Sequence, residues 1–165
     1  MIIAIVISLV LAILQIIFFN FLSFGIFGIN ILLISFLILM AFEKNYYALI
    51  LAGVGGIFLD IFSGTFFGIW TISFLIIYII FYFVNKISFL KNFYILTFVF
   101  FVLNYLHSII YYLLLIFSGS EIQFSIILWP SFLSSLTSVV LFLIVLPYFK
   151  KYQSKNRRVI IEIAK

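Results

Sequence analysis

Polar residues interrupt this chain so rarely that their positions define its elements. Apolar runs cover 2–22, 26–42, 46–62, 66–84, 93–117 and 126–149. Each is near the roughly 20 residues that carry a helix across about 30 Å of hydrocarbon. The breaks are Ser23, Gly25 and Gly28, then Glu43-Lys44-Asn45, Ser63-Gly64-Thr65, Asn85-Lys86 through Lys91-Asn92, and Ser118 to Gln123. The pattern predicts an all-α integral membrane protein: a six-transmembrane-helix bundle forming one domain over 1–149, followed by a basic tail, 150–165. The first hairpin has the weakest break, and a single long bent segment there is the alternative; it would move the N-terminus outside. Met1-Ile2-Ile3-Ala4 lacks the positive stretch of a secretory signal, and its apolar run continues past Phe19, so it reads as a retained helix.

Composition removes the soluble alternatives. Hydrophobic residues make up 68% of the chain and charged ones 8%, with a mean hydropathy of +1.47. A water-soluble domain needs far more polar surface. With no cysteine, thiol catalysis, disulfides and zinc-thiolate sites are excluded. One histidine and four scattered carboxylates offer neither a metal-ligand cluster nor a nucleophile-base pair. The expectation is a protein without an enzymatic site or cofactor. The many Phe, Tyr and Ile residues read as a bias of the source genome, since bulky apolar residues are nearly interchangeable against lipid.

Charge then orients the bundle. With the N-terminus in the cytoplasm, Lys44, Lys86, Lys91 and all six basic residues of the tail fall on one side, and the opposite loops carry no Lys or Arg. This is the positive-inside pattern for six spans with both ends cytoplasmic, and five or seven spans would split it. Trp70 and Trp129 lie just inside the outer span ends, where an aromatic belt is expected. Lys150, Lys151, Arg157 and Arg158 read as a membrane anchor with affinity for anionic lipids; so short a cluster at a membrane gives no reason to expect nucleic acid.

The segment 48–70, ALILAGVGGIFLDIFSGTFFGIW, holds five of the eight glycines. Ala48, Ala52, Gly56, Asp60, Gly64 and Gly68 recur every four residues, so a continuing helix would carry a stripe almost free of side chains. Such stripes let helices approach closely in lipid, where hydrophobicity alone gives little association. Asp60 is costly in an apolar span and needs a partner. It has three readings: a cap on the amides opening the next helix, a titrating group in an ion pathway, or an anchor for a partner protein. No second intramembrane acid and no intramembrane Lys or Arg accompanies it, which favours the cap.

The stretch from Gly55 to Gly68, GGIFLDIFSGTFFG, resembles the signature of the rod shape-determining MreD family, a G-x-x-x-D-x-x-S-G-x-x-x-G pattern matched here by Gly56, Asp60, Ser63, Gly64 and Gly68. The resemblance extends to the chain length, Gln15 in the first span, the Trp129-Pro130 pair and the basic tail. Two positions depart from it: Ile29-Asn30 stands where the family often has Pro-Asp, and Ser134 and Ser135 where the last span often carries Asn. The resemblance implies a non-enzymatic membrane scaffold of the bacterial cell-elongation machinery. It would bind MreC and help couple the MreB cytoskeleton to peptidoglycan synthases, with no small-molecule substrate. The expected partner surface is the glycine stripe of the third span together with the turn from Asp60 to Gly68.

Other polar positions read as packing. Asn104, His107, Ser108 and Tyr111 share a face of span five, and Ser131, Ser134, Ser135 and Ser138 share one of span six. Ala4, Ser8 and Ala12 form a small-residue stripe on span one. A similar stripe docks a second membrane subunit in the substrate-binding subunits of energy-coupling-factor transporters, whose fold this bundle would be similar to. The alternative function is therefore such a solute-binding subunit, with Asp60, Trp70, Gln123 and Trp129 lining a polar outer pocket.

Overall fold

A computed structural model describes residues 2–21, 30–64, 66–85, 93–120, 128–145 and 147. The described residues are all helical or in turns: α1 (Ile2–Phe21), α2 (Ile31–Ala41), α3 (Asn45–Phe62), α4 (Ile69–Asn85), α5 (Phe93–Phe117) and α6 (Leu128–Val145). Helices α3, α5 and α6 are long and apolar enough to cross a membrane. Exposed Ile, Val, Leu and Phe side chains cover the outer faces of all the helices except α2, a surface suited to lipid rather than water. Gln123, Lys86, Lys91 and the tail with Lys150, Lys151, Arg157 and Arg158 lie outside the described residues.

Helix α2 is the central element. It is apolar on every side, and Leu32, Leu33, Ile34, Phe36, Leu37, Ile38 and Met40 are all buried. A helix that is hydrophobic all round belongs in a core. Helix α3 packs against α1, α2 and α4, and α4 against α5. Face-on stacking of Phe100 on Phe142 at 4.1 Å joins α5 to α6. The small residues explain how closely these helices meet. Ala48, Ala52, Gly56 and Asp60 are buried along α3, and Ala4, Ser8 and Ala12 are buried on α1.

The sequence leaves each stripe two uses, packing within the chain or docking of a partner, and the burial is that of packing. Ala4, Ser8 and Ala12 on α1 are buried within the chain. Ala48, Ala52, Gly56 and Asp60 on α3 are buried too, forming an internal seam. Small residues serve either use equally well, and periodicity does not distinguish a seam inside a chain from one between chains.

The α2–α3 connection is a Schellman closure, with the Glu43 N–H bonded to Met40 O at 2.9 Å and the Lys44 N–H to Leu39 O at 2.9 Å. Glu43 occupies the left-handed position at φ 60°, where glycine is usual. The end of α5 closes in the same way with Gly119 at φ 93°. At the α2 end of the first closure, the Asn85 Nδ2 of α4 donates to Met40 O at 3.1 Å, a second bond to a carbonyl that the closure already engages.

Candidate functional site: the α3–α4 turn

Helix α4 begins without a capping side chain of its own. Gly68 stands before its first residue at φ +100°, a conformation that other L-residues rarely adopt. The first amides of any helix lack partners within it. Here Asp60, in the last turn of α3, supplies them. Its Oδ1 accepts the Trp70 N–H at 2.8 Å. Its Oδ2 accepts the Thr71 N–H at 3.2 Å and the Thr71 hydroxyl at 2.5 Å. The carboxylate is 3% exposed, and a negative group at a helix N-terminus is also favoured by the helix dipole. Of the three sequence readings of Asp60, this is the capping geometry.

Gly56 makes that reach possible. It lies one turn before Asp60 on the same face, and a Cβ there would sit 2.7 Å from the Thr71 Cα. Only a glycine lets the α4 backbone come close enough for the carboxylate to bridge. Gly64, at φ +68°, reverses the chain beyond α3 and faces open space. Ser63 is exposed but accepts the Trp70 indole N–H at 3.2 Å. The five residues matching the G-x-x-x-D-x-x-S-G-x-x-x-G pattern thus fall on one structural unit, a turn locked by a buried carboxylate. Its tip is apolar: Phe62, Phe66 and Phe67 are all exposed.

Beneath the turn lies an aromatic layer that the sequence did not reveal. Trp70 is 7% exposed and packs at 4.3 Å from Tyr111. This corrects its assignment to an outer aromatic belt: a tryptophan near a span end has the same spacing whether its indole faces lipid or the bundle. Trp129, by contrast, is 67% exposed and faces outward. His107 of α5 stacks on Phe74 at 4.9 Å and pairs with the Ser73 hydroxyl of α4 at 3.3 Å. Ser73 also donates to Trp70 O at 2.9 Å, so His107 is tied through one hydroxyl to the first turn of α4.

The remaining polar positions bond mostly within their own helices. Asn104 Nδ2 donates to Phe100 O, Ser108 to Asn104 O and Ser135 to Phe132 O. Ser131, Ser135 and Ser138 are buried and Ser134 half-buried. They act as small residues, letting helices close on each other.

Of the four residues expected to line an outer polar pocket, Asp60 accepts the Trp70 N–H, Trp129 is exposed, and Gln123 lies outside the described residues. Among the described residues no three His, Cys, Asp or Glu side chains converge to hold a metal. No protein-family model, curated protein or solved structure matches this chain.

Proposed function

We propose that the chain is a six-span protein of the bacterial cytoplasmic membrane, with both ends cytoplasmic, acting as a non-enzymatic scaffold of cell elongation as its resemblance to the MreD family implies. The observation that carries this reading is the state of Asp60. Both oxygens of this intramembrane carboxylate are engaged by α4, which is the arrangement of a structural cap and not of a group presented to a solute or ion. The cap holds up an exposed Phe62, Phe66 and Phe67 tip. In this reading the tip receives the transmembrane or extracytoplasmic part of MreC, while MreB and the peptidoglycan synthases are reached through the assembly. Aromatic residues concentrate binding energy at such contacts.

Two experiments test it. In co-purification from native membranes, Phe66→Ser with Phe67→Ser is expected to lower MreC recovery about tenfold, the loss of one hot spot. Asp60→Ala should lower it as well, by loosening the turn. Unchanged recovery in both variants at normal membrane levels overturns the assignment. The chain contains no cysteine, so single-cysteine labelling can read its topology directly. Ser63→Cys should react with an impermeant reagent from outside, and Lys44→Cys only after the membrane is opened.

A further inference from the structure

A groove of about 860 Å³ opens between α1, α2, α3 and α6, away from the α3–α4 turn and not used by the scaffold reading. Its walls include Ile3 and Ile7 of α1, Ile34 and Ile38 of α2, Leu51 of α3 and Leu141 of α6. We propose that this groove is a binding site for one acyl chain of a glycerophospholipid, from the leaflet on the Lys44 side, with the phosphate near Lys44 and Tyr47.

Size, lining and position support that occupant. The volume falls within the range of about 300–1,000 Å³ typical of sites that enclose small molecules. The lining is almost wholly aliphatic. Ser35 is one of its two side-chain hydroxyl groups, and it already donates to Ile31 O at 2.8 Å. Water needs two to four polar partners to stay in such a space, so the groove does not hold it. From Ile31 to Leu39 the wall formed by α2 is about 12 Å long, close to the roughly 15 Å depth of one leaflet's hydrocarbon. A straight chain lying along α2 therefore fits both the bilayer and the groove.

The second hydroxyl marks the end where the headgroup would sit. Tyr47 lies in the first turn of α3, half in the groove and 45% exposed, the usual disposition of an aromatic at headgroup level. Lys44, the exposed N-cap residue of α3, stands three residues earlier at the same helix start. A transmembrane partner helix fits less well. Close helix pairing in lipid uses small residues; of the small-residue stripes only Ala4 reaches the groove wall, while Ser8 and Ala12 of α1 and the stripe of α3 are packed inside the bundle. The groove offers branched side chains, which suit a flexible chain.

The assignment of the leaflet to the cytoplasmic side rests on the six-span reading, but the lipid measurement itself requires no partner protein. The full-length chain, purified in mild detergent and washed with lipid-free detergent, is extracted and its phospholipid quantified by mass spectrometry. About one phospholipid per chain is expected. Ile34→Trp and Ile7→Trp place an indole in the groove and should lower retained lipid several-fold, with the unfolding temperature unchanged or raised. Ile7 lies at the exposed mouth, so it carries the test if the buried Ile34 variant does not fold. Ile79→Trp, on an exposed face of α4, should retain lipid like the wild type. In nanodiscs of mixed phosphatidylglycerol and phosphatidylcholine, Lys44→Gln should reduce the preference for the anionic lipid about fivefold. Equal retention in the wild type and both groove variants, a wild type that carries no lipid, or a membrane peptide recovered in its place overturns the proposal. An unchanged headgroup preference in Lys44→Gln overturns the placement of the phosphate.

Discussion

Two helices start inside this apolar bundle at the same end, and they satisfy their first amides in different ways. Helix α2 is capped locally. Asn30, immediately before it, accepts the Leu33 N–H at 3.0 Å through its side chain, and Gln15 of α1 accepts the Ile31 N–H at 2.6 Å. Helix α4 has glycine in the capping place and borrows a carboxylate from ten residues upstream. The neutral pair divides the amides between two residues and two helices. The carboxylate takes two amides and a hydroxyl on one residue, so the α3–α4 turn depends on a single side chain. Redundancy at α2 and concentration at α4 make opposite predictions about what a single substitution does.

The largest expected effect is therefore at Asp60. Asp60→Ala leaves the buried Trp70 amide and the part-buried Thr71 amide and hydroxyl without their acceptor, and at about 1–3 kcal/mol for a stranded buried group and less for the two part-buried ones the loss should be about 3 kcal/mol. Asp60→Asn keeps one acceptor but turns a donor toward donors, and should lose roughly half as much. Thermal or denaturant unfolding of the purified protein in micelles reads both. Gly56→Ala comes next: the added methyl meets the Thr71 backbone, forcing the helices apart at about 1–3 kcal/mol. Asn30→Ala should cost about 1 kcal/mol, as for an ordinary cap, because Gln15 still holds the first amide of α2. A loss at Asn30 as large as that at Asp60 would break the contrast between the two starts.

The smallest effect is a gain. Two helix ends close by the same hydrogen-bond pattern, one with Gly119 and the other with Glu43 in the left-handed position. Glu43→Gly removes the conformational penalty of a side chain there and should stabilise the protein by up to about 1 kcal/mol. The same unfolding assay detects it as a raised midpoint.

Much of this contrast was legible in the sequence, for physical reasons that differ from residue to residue. The run 93–117 matches α5 because polar residues bound it on both sides. Asp60 could be read as a cap because a lone carboxylate followed by Ser63-Gly64 has few other ways to be satisfied in lipid. Helix α4 begins at Ile69, later than the apolar run suggested, because Gly68 adopts a positive φ that hydropathy does not record. The bond from His107 to Ser73 joins residues 34 apart and leaves no local signal. Nor does periodicity say which neighbour covers a small-residue stripe, which is why the α1 and α3 stripes looked available to a partner. The groove beside α2 is a property of four helices together, and no window of sequence contains it.

The central claim is that Asp60 is committed to α4 within the chain, and a double-mutant cycle between Asp60→Ala and Thr71→Val tests it most directly. Thr71 gives Asp60 both its amide and its hydroxyl, and the valine removes the hydroxyl while keeping the shape. Residues in direct contact couple by about 0.5–3 kcal/mol, so the double variant should be less destabilised than the sum of the singles by an amount in that range. Additive losses would contradict the account and return Asp60 to the pool of groups free to act on an ion, a solute or a partner.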